Sequence, residues 1–591
     1  MDIKNLNTFA EGEVFETDLL IVGGGAAGLA VAREFLNTSW RVMVAESGNE
    51  SESDEHERLN KVELESNSLS TNWNAMRDEF HGHQVPKWRE EVQTFGVRCR
   101  GLGGSTQAWK GKSAPFVEHD YDHRPWLENS GWPITKADVD PYVRRGEQML
   151  NLGKGAYGDL FWDHYKGKFD KPGFDQEKLG SFFWQFARSR SNPVDIIRLG
   201  PDFAKEKADN VRILLNATAT SIAPQKAADQ NGVIATFQSI EGQTAKVKAR
   251  KVVIACGAIE NARLLLDSTE TTPAGLGNEN DQVGRYISDH LHSAVAQFSE
   301  EHTKAISQRF GFFTISPDQR PVMYMHGVAL GAGVQEAEGL LNAGAVCSSK
   351  TASDDPWGAV ATLLRGQSKN IFKDLFSIIK GPRYMFTGAG LIFLQSNKVP
   401  NAIKNPIINT AVKLMPNFVA EEYQSEGIPR KVLSCGFSSM VEQGPYASNR
   451  VTLSENRNVI GRPLPKVKWE IGEKEVHTLM RMGEIIAEQF EHAGLPVPTP
   501  VDWIKDKSPK DATIIDMAHT TGSTRMSSDP KTGVVDKNCK LHTCDDVYMA
   551  GGSVMPTGSH TNPTLMLVAL GIRLADHLKA EFKAPKSISI S

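Results

Sequence analysis

Long apolar runs are what this sequence most plainly lacks: no stretch of 18 uninterrupted apolar residues occurs in the 591-residue chain, so no spanning helix is expected. Cysteine is scarce as well. Six residues, Cys99, Cys256, Cys347, Cys435, Cys539 and Cys544, suit a reducing compartment rather than a disulfide scaffold. Only the last two are close, and their C-x4-C spacing has no second pair and no histidine cluster nearby, so free thiols are expected and no metal. Positive charge is not in excess: 66 Lys plus Arg against 71 Asp plus Glu gives −5, without a long basic run, which argues against nucleic acid as a partner. The amino-terminal segment MDIKNLNTFAEGEVFE has no basic n-region, apolar h-region or twin arginines. It does not read as a signal peptide, and the expected location is the cytoplasm.

What is present is the composition of a soluble globular protein, 40% hydrophobic and 23% charged. Single hydrophobic cores stop growing near about 250–300 residues, so at least two packed units share this chain. The first is announced early. Asp18 to Val22 (DLLIV) reads as a buried strand, Gly23-Gly24-Gly25-Ala26-Ala27-Gly28 follows as G-x-G-x-x-G, Leu29 to Leu36 reads as a helix, and Arg41 to Ala45 as a second strand ending in Glu46. Gly23 permits the tight turn, Gly25 lets backbone approach a pyrophosphate at the helix start, and Gly28 lets helix and strand pack closely. Glu46 can accept hydrogen bonds from an adenosine ribose. NAD and FAD fit this fingerprint equally.

Further blocks follow in order: CRGLGGSTQAW from Cys99, KVVIACGAIENARLLL from Lys251, VGRYISDHLH from Val283, EQGPYASNRVTL from Glu442, HTTGSTRM from His519, and VYMAGGSVMPTGSHTNPTLMLVALGIRLADHL from Val547. Together these resemble the glucose-methanol-choline (GMC) family of FAD oxidoreductases, with spacing most similar to its pyranose-oxidase and glycoside 3-oxidase branch. The resemblance implies FAD as cofactor and oxidation of an alcohol carbon. It also implies an α/β fold, α+β overall. A discontinuous Rossmann-type FAD-binding domain (14–115, 205–295 and 510–585) would be joined to a substrate domain built on a mixed or antiparallel sheet (116–204 and 296–509).

Oxidising an alcohol carbon requires a base for the hydroxyl proton, a group to orient the oxygen and an electron sink. His519 is the candidate base, set between the apolar stretch Ile514 to Ala518 and the small run Thr520 to Ser523. A structural histidine is the alternative. Asn562 falls where the family places its second catalytic histidine or asparagine, and His560 is the runner-up, pointing elsewhere if the segment is extended. Pro563 and Thr564 open a helical pattern whose free N–H groups can meet the flavin. The resemblance also places Gly104, Ser105, Thr106, Ala217 and Gly552 at the cofactor. Gln107 stands where covalently flavinylated relatives carry histidine, so non-covalent FAD is expected. His290, after a Gly-Arg pair, reads as structural.

The substrate side is less legible. Gln443 and His560 are candidate substrate contacts, while Trp73, Trp88 and Trp109 read as core anchors rather than sugar platforms. Asn449-Arg450-Val451 reads as the start of a strand. The stretch 366–417 is basic and apolar, with Lys369, Lys373, Lys380, Arg383, Lys398, Lys404 and Lys413 among Ile, Leu and Phe. It reads as a solvated insertion capping the site, or as a contact with a membrane, a partner or a second copy. The expected reaction is FAD-dependent oxidation of a secondary hydroxyl, at carbon 2 or 3 of a sugar or glycoside, to a ketone, with oxygen or another acceptor reoxidising the flavin. The alternatives are oxidation of an amino-sugar primary alcohol or a non-sugar alcohol such as a sterol, and a non-redox lyase or structural flavoprotein.

Overall fold

The strand Glu13–Val22 ends in four buried residues, Leu19 to Val22, because it lies between two others. Val42–Ala45 and the long strand Thr244–Ile254 pair with it in parallel, with Leu19 opposite both Val42 and Lys251, and Val22 opposite both Ala45 and Ile254. Three carboxyl ends are therefore level, and the Gly23 turn, Glu46 and Ala255 gather there, where ligands bind in open α/β sheets. Gly23 has φ +106°, and a Cβ there would lie 2.5 Å from the Ala255 carbonyl oxygen. A Cβ on Gly28 would lie 2.0 Å from the Gly23 carbonyl oxygen, so both positions require glycine. The helix Ala26–Arg33 follows directly. This computed structural model describes all residues except 71, 83, 192–194, 228–229, 317–321, 365–369, 396–398, 416–430 and 582–591.

The first sheet has eight strands, in the order Asp2–Asn5, Val211–Leu215, Val42–Ala45, Glu13–Val22, Thr244–Ile254, Gln230–Gln238 and Thr218–Ala227, with Val547–Met549 also paired to Thr244–Ile254. The carboxyl-terminal helix Thr564–Glu581 covers it, packed against Ala26–Arg33 and Lys136–Met149. A second, nine-stranded sheet lies on the substrate side. Its path is Thr499–Pro500, Leu291–Gln297, Val432–Val441, Ala343–Thr351, Val322–Leu330, Leu179–Phe186 and Lys112–Ser113, every neighbouring pair antiparallel. Phe312–Ile315 and Ile515–Asp516 join it off this path. A third sheet of three strands pairs Arg450–Arg457, Pro463–Lys468 and Glu63–Glu65.

Several strands cross the divisions expected from sequence. Asp2–Asn5 lies outside the expected start at residue 14, yet it extends the first sheet beside Val211–Leu215. Lys112–Ser113 and Ile515–Asp516 fall within the expected cofactor segments, and Leu291–Gln297 straddles the end of one at residue 295, but all three pair in the second sheet. Val211–Leu215 and Thr218–Ala227 are adjacent in the chain but do not pair with each other: the first pairs with Val42–Ala45 and the second with Gln230–Gln238. The basic insertion is helical, as Ile371–Lys380, Pro382–Gln395 and Asn401–Leu414, preceded by Pro356–Leu364. Lys369 and Lys398, with residues 416–417, lie outside the described residues. No helix among the described residues is long and apolar enough to cross a membrane.

One buried ion pair fixes the segment entering the expected site. Arg77, on the helix Trp73–His81, donates from Nε to Asp516 Oδ1 at 2.6 Å and from Nη2 to Oδ2 at 3.3 Å. Both side chains are fully buried. His81 Nε2 donates to the Asp516 carbonyl at 3.0 Å. Burial alone would raise the Asp516 pKa, but Arg77 and His81 hold it below the usual carboxylate range. Arg77→Met should leave this carboxylate uncompensated and cost about 3–5 kcal/mol in denaturant unfolding of the flavin-loaded protein. A loss within experimental error would show that the pair is not structurally important.

Candidate active site

A cavity of about 650 Å³ lies between the two large sheets, a size suited to a cofactor and small substrate. The first sheet's side contributes Gly23, Gly25, Glu46, Ala217, Gly552 and Thr564. Gly104, Ser105 and Thr106 meet them from the short helix Gly104–Gln107, and a Cβ on Gly104 would stand 3.0 Å from Gly25 Cα. The second sheet contributes Lys112, Trp184, Phe186, His292, Met325 and Met440. His519, Asn562 and Pro563 stand at the seam.

Three sequence candidates lie outside this wall. Gly28 acts through close helix–strand packing, as its spacing predicts. Gln443, expected as a substrate contact, lies outside the cavity lining with its side chain engaged: its Oε1 accepts from the Asp289 N–H at 3.1 Å and Trp469 Nε1 at 2.7 Å, and its Nε2 donates to the Glu470 carbonyl at 2.7 Å. His560 faces a separate cavity of about 160 Å³, with Nδ1 3.0 Å from Asn342 Oδ1 and its ring edge-on to Phe182. Gln107 also turns away, its Oε1 accepting from the Glu52 N–H at 3.2 Å. Of the three early tryptophans, Trp73 is buried beside Trp469, Trp88 bonds Asp78, and Trp109 reaches the cavity wall.

His290, expected to be structural, bears directly on His519. Its Nε2 lies 3.0 Å from the Gly558 carbonyl and 2.9 Å from that of Ser559, while its Nδ1 lies 2.9 Å from His519 Nδ1. Carbonyls only accept, so Nε2 carries the hydrogen, and burial holds this imidazole below the ordinary histidine value, hence neutral. The bare His290 Nδ1 then accepts from His519 Nδ1–H. Consequently His519 Nε2 has a free lone pair. It meets Asn562 Nδ2 at 3.4 Å, a long contact that a substrate hydroxyl can replace, and Asn562 Oδ1 is buried without a partner.

The backbone around this pair is held rather than relaxed. Ala518 has φ +59° and Ser559 φ +62°, left-handed conformations that cost non-glycine residues energy and that gather at functional sites. Asp289 Oδ1 accepts the N–H groups of His519 at 2.8 Å and His290 at 2.7 Å. Ser559 Oγ donates to Asp120 Oδ2 at 2.8 Å, and Trp132 Nε1 donates to Thr557 Oγ1 at 2.9 Å.

Electrostatically the cavity has two ends. Glu46 accepts the Gly24 and Gly48 N–H groups, both at 2.8 Å, and lies near a cluster in which Arg263 and Arg100 face Glu260 at 2.8 and 3.2 Å. Arg98 joins this cluster with Nε and Nη1 buried and unpartnered. The reacting end carries Lys112, whose ammonium lies 4.2 Å from the Trp184 ring centroid and whose pKa burial lowers to about 7. Burial, with Lys112 next in effect, lowers His292 to about 4. Burial, then His290, His81 and Lys112, hold His519 well below the ordinary histidine value. Lys112 and Trp184 carry no sequence signal beyond a strand's alternation, and His292 only closes the VGRYISDHLH block; their shared wall appears only when distant strands pair.

A glycine turn at level strand ends, with a neutral histidine and an asparagine across one cavity, defines a dinucleotide-cofactor oxidoreductase acting on alcohols. The comparisons agree and narrow it. GMC oxidoreductase profiles match residues 202–292 and 445–571, and the chain belongs to that family. It is 23% identical to 6'''-hydroxyparomomycin C oxidase of Streptomyces lividus, over 95% of this chain and 92% of that one. It is 20% identical to the fructose dehydrogenase large subunit of Gluconobacter japonicus, over 97% and 99%. A fungal aryl-alcohol oxidase structure shares the fold, with TM-score 0.53, 13% identity and coverage of 96% and 99%. Likeness to the pyranose-oxidase branch is slighter than the motifs suggest: pyranose 2-oxidase of Tricholoma matsutake matches at 34% over 58 residues, 10% of either chain.

The protein is thus an FAD-dependent oxidoreductase acting on CH–OH groups. Its residues fit FAD: no atom lies within 4 Å of a Cβ built on Gly25, so backbone is open to a phosphate there, and the unpartnered Arg98 nitrogens await an acceptor. A base with a lowered pKa stays neutral on acidification. Flavin reduction should therefore hold its rate as pH falls through 6.5 and decline only at lower pH, measured by anaerobic stopped flow. Lys112→Met removes a cation that opposes imidazolium formation, raises the His519 pKa and should move this acid limb to higher pH. An unmoved limb would uncouple the two groups.

Proposed function

We propose that this enzyme oxidises a secondary hydroxyl, at carbon 2 or 3 of a sugar or glycoside, to a ketone. The observation that carries the reading is the lone pair on His519 Nε2 beside Asn562 in the cavity. The substrate hydroxyl donates to Nε2, and Asn562 orients the oxygen without competing for the proton. As the O–H proton passes to His519, the hydrogen on the carbinol carbon leaves with its electron pair. Bound FAD supplies the acceptor for that pair. Trp184, Ser438 and His292 line the cavity on this side, the indole covered by the Lys112 ammonium and the other two offering polar groups. Oxidation of a primary alcohol on an amino sugar is supported by likeness to the paromomycin-type oxidase. Lys112 favours the first reading, because a protonated amino sugar would meet a like charge whenever this lysine is protonated.

The test is anaerobic mixing with neutral sugars, glycosides, amino sugars and simple alcohols, followed at the flavin absorbance and by product analysis. A ketone from a neutral sugar supports the reading, whereas an aldehyde from an amino sugar, or bleaching by non-sugar alcohols alone, overturns it. His519→Ala should slow bleaching by about 10²- to 10⁴-fold with FAD retained; unchanged bleaching would remove His519 from the role.

The FAD is proposed to be non-covalent. With Gln107 turned away, the cavity-lining residues of the 104–109 segment include Ser105, Thr106, Ala108 and Trp109, and the segment contains no histidine, cysteine or tyrosine. Acid precipitation should release all the flavin into the supernatant. Yellow colour retained in the pellet would contradict this.

A further inference from the structure

The insertion between residues 371 and 415 presents its apolar side outward. Of the sixteen large hydrophobic residues that are exposed among the described residues, eleven lie here, including Phe372 at 86% exposure, Phe386 at 80% and Ile379 at 73%. Helix Ile371–Lys380 is reversed relative to a normal surface helix: Ile371, Phe372, Leu375, Phe376 and Ile379 form one exposed stripe, while Ser377 is the buried residue. Phe386 and Phe393, two turns apart on Pro382–Gln395, continue the pattern, as do Ile403 and Ile407 on Asn401–Leu414. An apolar surface of this extent is uncommon on a protein that meets only water.

Charge identifies the covering surface. Lys373, Lys380, Arg383 and Lys413 are exposed among these apolar residues, and Asp374 is the sole acidic residue from 371 to 415, in a chain whose total charge is −5. The Lys380 ammonium lies 4.4 Å from the Phe376 ring centroid, with apolar body and charged head side by side as at a lipid headgroup boundary. We propose that this face docks the enzyme on an anionic lipid bilayer, lying in the interface rather than crossing it. A second copy would set the same cations against one another, which disfavours self-association through this face.

The face is anchored from behind, which separates it from a lid. Ile408 and Val412 on Asn401–Leu414 are buried against Phe186 and Met325, two residues of the active-site wall, and Thr314 Oγ1 donates to the Val412 carbonyl at 2.7 Å. Ile403 and Ile407 leave the same helix outward. About 10 Å, one helix diameter, thus separates the cavity wall from the proposed lipid surface. This inference stands independently of which alcohol is oxidised.

The test is co-sedimentation of the FAD-loaded enzyme with vesicles of phosphatidylcholine alone and of phosphatidylcholine mixed with phosphatidylglycerol. Binding to the mixed vesicles is expected, with weakening by salt. Lys373→Gln with Lys380→Gln should weaken it about 30-fold, each lysine contributing about fivefold near the surface. Phe372→Ser with Phe376→Ser and Phe386→Ser should abolish it, and both variants should keep the parent rate of flavin bleaching by soluble substrate. Should the phenylalanine variant fail to fold, the lysine variant and the salt series decide. No sedimentation with mixed vesicles, or equal binding to both vesicle types, overturns the proposal, as does a dimer of the parent that the phenylalanine variant splits.

Discussion

The chemistry of this site depends on where one hydrogen sits, the one on His290 Nε2. Two backbone carbonyls, those of Gly558 and Ser559, hold it there. A buried carbonyl left without a donor costs about 1–3 kcal/mol, so the tautomer is fixed by the fold rather than chosen by the ring. From it follow the direction of the bond between the two imidazoles and the free lone pair on His519. Histidine is the residue for this task because its two nitrogens differ in role while the ring stays neutral.

The same hydrogen ties His290 to pieces of chain more than two hundred residues away. His290 stands at the start of a second-sheet strand, His519 follows a short strand of that sheet, and residues 558–562 lead into the helix that covers the first sheet. Each piece is held separately. Gln443 fixes Asp289, Arg77 fixes Asp516, and Asp120 fixes Ser559. Behind them Arg124 and Glu442 form a fully buried pair, and Glu442 also accepts the Asn342 N–H at 2.8 Å. These networks are costly to leave half-made, so the seam between the sheets has one arrangement or none.

Sequence made the local parts legible and hid the pairings. The Gly23 turn, the strand before it and Glu46 are readable because their chemistry lies within a short stretch, with periodicity and glycine spacing agreeing. For His519 and Asn562 the sequence offers residue types, and only the fold sets them side by side. What His290 does lies entirely in its neighbours, two carbonyls and another ring, none of them near it in sequence. Asp2–Asn5 gave no signal because its partner strand begins at Val211. Gln443 looked functional for its position near a motif, yet all its polar atoms are spent on holding backbone and Trp469. In the insertion, composition revealed the mixture of cations and apolar residues, but not that the stripe faces out, because periodicity is blind to which side a helix is packed on.

The two ends of the cavity impose opposite demands, and the residue types follow. Among the described residues its only acidic lining residues, Glu46 and Glu260, lie near the arginine cluster, where anion and hydroxyl groups of a dinucleotide must be matched by fixed donors and acceptors. The reacting end, among the described residues, carries nitrogen groups and no carboxylate, with Lys112, His81, His292 and His519 in its wall. A positive field there stabilises the negative charge that grows on an alcohol oxygen as its proton leaves. That same field weakens His519 as a base, since it opposes the imidazolium that forms. The two effects act on opposite ends of one proton transfer, so their difference, not either alone, sets the barrier. Lys112, with its pKa lowered to about 7, places that difference within reach of ordinary pH. A carboxylate beside His519 would have strengthened the base but penalised the alkoxide, and the cavity keeps Asp289 and Asp516 behind the backbone, where they position the ring without lining the space in which the oxygen must sit.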